Sequence, residues 1–503
     1  MAAKNPPSVL ARLLAPLPAL LLLVGCGDDP AGTAEPGRAA GRPADPASGT
    51  RNLVLMVVDT LRADRLGCYG HTRATSPNLD ALAAEGLLFE NAFAPAPFTA
   101  ASHASLFTSL HPNTHMVWNK VKMQTGATVY PALSQNAVTL AEALRDAGFQ
   151  TAAVADGGFV KEERGLDQGF DHFESETRGV VDRVDRALRW LREERDPGRP
   201  FFLFLHTYEV HSPYMPELEF VDRFDPVYQG PLREAVRKAR EWVAANPDQN
   251  PINRPQEQFF RPLFDAENFT AEDKTFVRTL YDAEIAMMDQ EFARLRAYLR
   301  ESGLDRDTAL VVTADHGEEF WEHDFWGHKK LWNETLHIPL IVRLPEGPRG
   351  QRRADPLDLM DLMPTLLTEL GVPVPEMATG RSLDLRRAPE ASPGHYLVAQ
   401  ANAPYGLASF RYPDGKAIFF ISPRADSAVF DPVTDPAERH DLAATEGGQE
   451  LLRRAVRDRR AFTEATEALR HKFQLFPELR SQDRFSPEMV GELRALGYLG
   501  DDE

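Results

Sequence analysis

The chain has 503 residues, more than one compact core of ordinary size needs, so we expect a large domain with a smaller appendage. Hydrophobic residues make up 43% and charged residues 26% of the chain, which excludes wholesale disorder and a multi-span membrane protein. The formal net charge of −19 argues against a nucleic-acid partner, because most of the surface would repel a phosphate backbone. Any anionic substrate must be attracted locally, by a metal ion and a few basic side chains.

The first 25 residues have the pattern of a signal peptide. Basic Lys4 and Arg12 precede an apolar stretch over residues 13–25 that is too short to span a bilayer comfortably. The stretch ends in Leu-Val-Gly-Cys26, which resembles the lipobox of bacterial lipoproteins, so we expect Cys26 to be lipidated and to become the new N-terminus. The alternative is a plain secretory signal with an incidental cysteine, and it is weakened because Cys68 is the only other cysteine.

Residues 26–50 are rich in Ala, Gly, Pro and Asp without apolar periodicity, which predicts a flexible linker between the lipid and the folded domain. Together with the lipobox, this organisation predicts a membrane-anchored lipoprotein of the bacterial cell envelope that faces the periplasm or the exterior.

Several continuous apolar runs predict strands buried on both faces of a parallel sheet. A polar residue follows each run, and the runs are 53–58 before Asp59, 151–155 before Asp156, 201–205 before His206, and 308–313 before Asp315 and His316. Helical segments alternate with them, such as 139–147 with its capping box and about 270–302 with its apolar stripe. This alternation predicts an α/β fold with a doubly wound, mostly parallel sheet, whose ligands bind beyond the carboxyl ends of the strands.

From about residue 391 the pattern changes to short strand candidates separated by turns, among them 417–421. We expect a small antiparallel sheet there, followed by helices at about 450–473 and 487–496. The predicted domains are therefore 51–390 and 391–503. The Pro- and Asn-rich stretch from about 225 to 262 predicts a loop-rich insertion that borders the substrate entrance.

The strongest motif is Thr-Ala-Asp-His-Gly-Glu-Glu at 313–319, followed by Trp-Gly-His-Lys at 326–329 and His-Ile-Pro-Leu at 337–340. With residues 57–64 and 75–80, it resembles the sulfatase family of the alkaline phosphatase superfamily. Further similar segments are 102–108, 165–171, 211–214, 361–367, 380–383 and 429–436, so the likeness covers roughly residues 51–500. The resemblance implies an alkaline phosphatase-like fold and an enzyme that hydrolyses sulfuric or phosphoric esters.

A metal site is expected where the polar residues meet. Asp59, Asp315 and His316 offer two carboxylates and one imidazole, a suitable set of ligands for one divalent cation. Taken alone, Asp59 could be a helix cap, and Asp315 with His316 could form a turn. Because both positions follow buried strands, a shared site is the better explanation. Thr99 is similar in position to the family's nucleophile and would also be held on the metal, which lowers the pKa of its hydroxyl. It precedes a predicted helix over 102–110, whose positive end suits an anion.

By resemblance, Asn119, His211, His328 and Lys329 would bind the non-bridging oxygens or protonate the leaving group. His103 and His206 are candidates of a weaker kind, because a histidine in such a position also serves to satisfy a backbone partner.

The sequence departs from the family at the nucleophile. Typical sulfatases convert a Cys or Ser in C/S-x-P/A-x-R to formylglycine, whereas Thr99 opens the matching stretch here and His103 replaces its arginine. Threonine cannot yield that aldehyde. Thr60 stands where many sulfatases have a second Asp and His316 where an Asn is common, so Mn²⁺ or Zn²⁺ is as suitable as Ca²⁺ or Mg²⁺.

These departures favour phosphate or phosphodiester cleavage over sulfate cleavage, because a threonine sulfate is hard to clear whereas a phosphothreonine is more tractable. The alternatives are a true sulfatase that works without formylglycine and a non-catalytic lipoprotein that only binds. The expected partner is an anionic ester, either a small molecule or one linked to a glycan or lipid.

Overall fold

The computed structural model describes residues 49–123, 127–265, 269–387, 396–401, 407–420, 427–481 and 490. The predicted signal peptide, Cys26 and nearly all of the linker lie outside these ranges, as does the helix expected at 487–496 apart from Val490. Within the described ranges, no helix combines the length and the apolar character that crossing a membrane requires.

Strands run through the whole described chain. Their bounds are β1 (Asn52–Val58), β2 (Leu87–Phe93), β3 (Val121–Lys122), β4 (Thr128–Ala132), β5 (Gln150–Ala155), β6 (His172–Ser175), β7 (Phe201–Thr207), β8 (Thr308–Thr313), β9 (Glu319–Phe320), β10 (Trp326–Gly327), β11 (His337–Arg343), β12 (Gln351–Arg353), β13 (Leu357–Asp358), β14 (Leu397–Ala401), β15 (Leu407–Tyr412), β16 (Gly415–Phe420), β17 (Ala428–Phe430) and β18 (Glu478–Ser481). The expected runs 53–58, 151–155, 201–205 and 308–313 fall inside β1, β5, β7 and β8.

Helices alternate with these strands. Their bounds are α1 (Pro77–Ala84), α2 (Thr99–Thr108), α3 (Pro112–His115), α4 (Leu140–Asp146), α5 (Val180–Arg189), α6 (Leu218–Phe224), α7 (Pro231–Ala245), α8 (Asn253–Pro255), α9 (Arg261–Asp265), α10 (Ala271–Glu301), α11 (Asn333–Leu336), α12 (Leu362–Glu369) and α13 (Glu446–Phe473). Helix α4 begins with the expected capping box of Thr139 and Glu142.

The central sheet has the strand order β12-β2-β11-β8-β1-β7-β5-β6, with β13 beside β2. The pairs β1–β7, β1–β8, β5–β7 and β5–β6 are parallel, whereas β11 runs antiparallel to both β8 and β2. Every residue of β1 is buried, since helices cover both faces of the sheet. The expected doubly wound, mostly parallel α/β sheet is confirmed.

The C-terminal strands form the expected small antiparallel sheet, in the order β14-β15-β16-β17. Helix α13 packs on it through Leu451 and Ala455, which share an apolar cluster with Phe410 and Tyr412. The chain then returns to the large domain, where β18 pairs with β4.

The region 225–262 differs from the expectation of a loop-rich insertion. Helix α7 covers fifteen residues of it, and Leu232, Val236 and Ala239 form a buried stripe along that helix. Pro231 is the first residue of α7, where the missing N–H of proline breaks no hydrogen bond of the helix.

Candidate metal and nucleophile site

The three expected metal ligands come together at the carboxyl ends of two adjacent strands. Val57 of β1 pairs with Thr313 of β8, so the residues that follow the two strands emerge side by side. Asp59, Asp315 and His316 each offer a ligand atom, and these atoms all lie within 4.8 Å of one another. All three side chains are fully buried. The cluster therefore has the donor set, the spacing and the seclusion of a cation site.

The contacts of Asp315 and His316 leave one atom of each available for a cation. Asp315 Oδ1 accepts hydrogen bonds from the backbone N–H groups of Thr60 at 3.2 Å and His316 at 2.8 Å. His316 Nδ1 lies 3.0 Å from the Gly317 carbonyl oxygen, which can only accept, so the proton is on Nδ1. Asp315 Oδ2 and His316 Nε2 are buried and have no hydrogen-bond partner among the described residues. Such buried polar atoms fit a bound ion.

The electrostatics of the cluster point the same way. Burial raises the pKa of Asp59 well above its usual range, and the nearby carboxylate of Asp315 raises it further. Burial also lowers the pKa of His316, which keeps the imidazole neutral and able to coordinate a metal. Two buried carboxylates this close require a proton or a cation between them, and a divalent cation would meet that requirement.

Thr99 lies beside this cluster as the first residue of α2, with Phe98 as the N-cap. Its hydroxyl lies close enough to Asp59 to lower the pKa of that carboxyl. The helix begins three residues earlier than expected, so the positive end of the helix dipole lies at Thr99 itself. The site thus places a hydroxyl between the carboxylate pair and the positive end of a helix.

Asn119 is held against the start of the same helix. Its Oδ1 accepts a hydrogen bond from Ala100 N at 3.0 Å. Its buried Nδ2 has no partner among the described residues. A buried amide donor next to Thr99 suits an oxygen of the transferring group.

His211 and His328 form a second part of the site, next to His316. Ring centroids of His328 lie 4.6 Å from His316 and 5.1 Å from His211. His211 Nδ1 donates to the Ser212 carbonyl oxygen at 2.6 Å. Burial lowers the pKa of each of these two imidazoles to about 4. Lys329, by contrast, is exposed, and its charge lowers the pKa of His328 further.

Glu318 is a site residue that the sequence did not single out. It is buried, its Oε1 lies 2.8 Å from His328 Nδ1, and its Oε2 accepts a hydrogen bond from the Tyr214 hydroxyl at 3.2 Å. The carboxylate therefore fixes the orientation of the His328 ring beside His316. The short antiparallel pair β9–β10 brings the two residues together, and that register leaves no mark in the sequence pattern.

His103 and His206 line the floor of the site. His103 Nδ1 donates to the Thr99 carbonyl oxygen at 2.9 Å and lies 3.7 Å from Asp315 Oδ2. His206 Nε2 lies 3.6 Å from Asp59 Oδ2. His103 thus satisfies a backbone partner, and both rings also border the carboxylates of the candidate metal site.

The geometry gathers two buried carboxylates and an imidazole that could hold a cation, with the Thr99 hydroxyl close to one of the carboxylates. The sulfatase family model matches residues 51–372, so the chain belongs to the sulfatase family. An arylsulfatase of Clostridium perfringens is 25% identical over 467 residues, which cover 80% of this chain and 92% of the relative. The expected family and the expected sulfatase-like ester hydrolase are confirmed.

Two solved structures share the fold. One is BT4656 in complex with its substrate D-glucosamine-2-N,6-O-disulfate, at a TM-score of 0.63 and 19% identity, with 84% of this chain and 98% of that chain covered. The other is a phosphonate monoester hydrolase of Agrobacterium radiobacter, at a TM-score of 0.61 and 20% identity, with 86% and 97% covered. Both likenesses bear on the fold.

Proposed function

We propose that the chain is a metal-dependent hydrolase or transferase that cleaves phosphate or phosphodiester esters through Thr99. The observation that carries this proposal is the contact between the Thr99 hydroxyl and Asp59, inside the Asp59–Asp315–His316 cluster. A divalent cation held by Asp59, Thr99, Asp315 and His316 would polarise the ester oxygen and lower the pKa of the Thr99 hydroxyl. The imidazole ligand makes Mn²⁺ and Zn²⁺ as suitable as Ca²⁺ and Mg²⁺.

The protein side chains divide the remaining work. Thr99 Oγ1 forms the new bond to phosphorus while the bond to the leaving oxygen breaks, which gives a phosphothreonine that water or another acceptor then clears. Asn119 Nδ2 donates to a non-bridging oxygen, and the positive end of the α2 dipole stabilises the negative charge there. His211 and His328 have Nδ1 engaged with the Ser212 carbonyl oxygen and with Glu318, and in this role their Nε2 atoms hold and return the proton of a reacting oxygen. Lys329 supplies positive charge at the exposed edge.

The first test is a substrate panel of phosphate monoesters, phosphodiesters and sulfate esters, with Mn²⁺, Zn²⁺, Mg²⁺ or Ca²⁺ added. Wild type, Thr99→Ala and the matched control Thr99→Ser are compared. We expect phosphoester turnover in wild type, reduced turnover in Thr99→Ser and none in Thr99→Ala. Turnover that survives in Thr99→Ala would eliminate the covalent mechanism.

A true sulfatase without formylglycine is the second candidate, because relatives of this chain are sulfatases by name and BT4656 binds a disulfated sugar. Preferential release of sulfate from aryl or sugar sulfates in the same panel would establish it. A non-catalytic binding protein is the third candidate, and the intact buried cluster argues against it. Metal analysis of the purified protein separates it from the other two.

We also propose that the enzyme is a lipoprotein of the bacterial cell envelope, anchored through Cys26 and acting on an anionic ester linked to a glycan or lipid. The lipobox pattern and the linker composition support this proposal. Incorporation of labelled fatty acid into wild type but not into Cys26→Ala would support it, and equal labelling of both proteins would contradict it.

A further inference from the structure

The C-terminal sheet contributes a buried ion pair to the loop that follows His328 and Lys329. Lys416 of β16 and Glu438, in the loop after β17, have fully buried side chains, and Lys416 Nζ lies 2.6 Å from Glu438 Oε1. Glu438 also holds a left-handed backbone conformation with φ at 53°, which a residue with a Cβ adopts only where its surroundings enforce it. A buried ion pair often adds little to stability, so the role of this pair has to be sought in the contacts that its two side chains make.

Those contacts converge on residues 331–333. Lys416 Nζ donates to the Leu331 carbonyl oxygen at 2.6 Å, and the Asn333 backbone N–H donates to Glu438 Oε2 at 3.0 Å. The Asn333 side chain donates to the Pro436 carbonyl oxygen at 2.7 Å and accepts from the Arg411 guanidinium. Lys416 and Glu438 thus bind the backbone of this short loop at both of its ends, Leu331 and Asn333.

The gripped loop leads directly into the candidate site. Thr335, two residues beyond Asn333, donates from its hydroxyl to the Lys330 carbonyl oxygen at 2.6 Å. The Thr335 carbonyl oxygen accepts from Gly317 N at 2.9 Å, next to the metal ligand His316. The loop therefore fixes the chain after His328 and the chain after His316 at the same time.

We infer that Lys416 and Glu438 are positioning residues, which hold His328 in register with the nucleophile and the metal ligands. This inference rests on the proposed function, because it assigns His328 a part in ester cleavage. The two residues touch neither substrate nor metal and act through the backbone of 331–333. On this inference, the C-terminal sheet contributes to the active site by holding the loop at residues 331–333 in place.

The test replaces both charges together by Lys416→Met and Glu438→Leu, so that neither member of the pair is left buried without the other. Arg411, which lies 3.6 Å from Glu438 Oε1, keeps its hydrogen bond to Asn333 Oδ1. Arg454→Met, which breaks the exposed Arg454–Asp414 pair of 3.1 Å in the same part of the chain, is the matched control. With the best ester of the substrate panel, we expect kcat to fall on the order of 100-fold, as for a displacement of about 1 Å at a reacting group, while KM changes less. The control keeps wild-type kcat.

A double-mutant cycle with His328→Ala separates positioning from general damage. If the pair acts through His328, the paired replacement causes no further loss of kcat in the His328→Ala background. Losses that multiply, or an unchanged kcat in the paired replacement, would overturn the inference.

Hydrogen exchange gives a readout that does not depend on turnover. The amides of residues 331–336 should exchange roughly ten times faster in the paired replacement than in Arg454→Met, because the loop loses its hydrogen bonds to Lys416 and Glu438. Failure of the proposed function would show as a wild type inactive on every ester, and the exchange measurement would still be valid. Unchanged exchange at 331–336 would show that Lys416 and Glu438 do not hold this loop. This conclusion would stand even if the paired variant were less stable than wild type.

Discussion

The cation cluster predicts how Asp315→Asn changes the stability of the protein. In protein stripped of divalent cations, the fully buried carboxyl groups of Asp59 and Asp315 share one site with no cation between them, and burial together with Asp315 raises the pKa of Asp59. The amide of an asparagine keeps the acceptor that Thr60 N and His316 N require, and it replaces the unpartnered Oδ2 by a donor facing Asp59. We therefore expect stripped Asp315→Asn to melt at a higher temperature than stripped wild type.

Added cation, by contrast, should raise the melting temperature of wild type more than that of Asp315→Asn. A cation at a hundred times its Kd stabilises the folded state by ~2.7 kcal/mol. At ~2.1 cal/mol/K per residue, the described part of the chain has an unfolding entropy of about 0.9 kcal/mol/K. Wild type should therefore melt about 3 °C higher with Mn²⁺ or Zn²⁺ than without. Asp315→Asn should show almost no such shift, because it has lost a ligand.

Differential scanning calorimetry of stripped protein, with and without each cation, measures both effects. A melting temperature of wild type that ignores every cation would refute the metal site. Equal shifts in wild type and Asp315→Asn would place the binding elsewhere. A stripped Asp315→Asn that melts below stripped wild type would refute the argument that the two carboxylates repel each other.

Three further predictions concern the surrounding residues. Thr99→Ala should lose ester cleavage in a spectrophotometric assay yet keep most of the cation-induced thermal shift, because Asp59, Asp315 and His316 stay in place; loss of the shift would make Thr99 an essential ligand. Glu318→Gln should slow cleavage about 10- to 100-fold for esters with poor leaving groups, since it releases the ring of His328, and a uniform loss across leaving groups would contradict this role. Burial raises the pKa of Glu319 to about 8 from 4.5, so the folded state binds the extra proton between these values and stability falls as pH rises from 4.5 through 8. Urea unfolding of Glu319→Gln should show a flatter pH dependence over that window, and an unchanged slope would exclude Glu319 as its source.

The sequence predicts the sheet and the metal ligands because both depend on local patterns. Strand β1 is a continuous apolar run, and such a run followed by Asp59 predicts a buried parallel strand with a ligand at its carboxyl end. The same pattern in β8 places Asp315 and His316 at the same edge. The parallel pairing of adjacent strands then brings the ligands together without further information.

What the sequence did not predict depends on contacts between distant or differently folded segments. Glu318 reaches His328 only through the register of β9 and β10, and Lys416 reaches Leu331 across 85 positions of chain. Neither hydrophobic periodicity nor a sequence motif predicts these two contacts. The helix α7 was missed for another reason, since Pro231 opens the helix although proline more often marks a loop.

The position of β1 between β7 and β8 bears on how the chain folds during synthesis. Asn52 contacts Thr308, which lies 256 residues later in the chain. Until β8 has been synthesised, one edge of β1 has no partner strand. During that time Asp59 lies apart from Asp315 and His316. Closure of that edge is slow, because contacts of such long range form late in folding. A cation that needs ligands from both strands would therefore bind only after β8 has paired with β1.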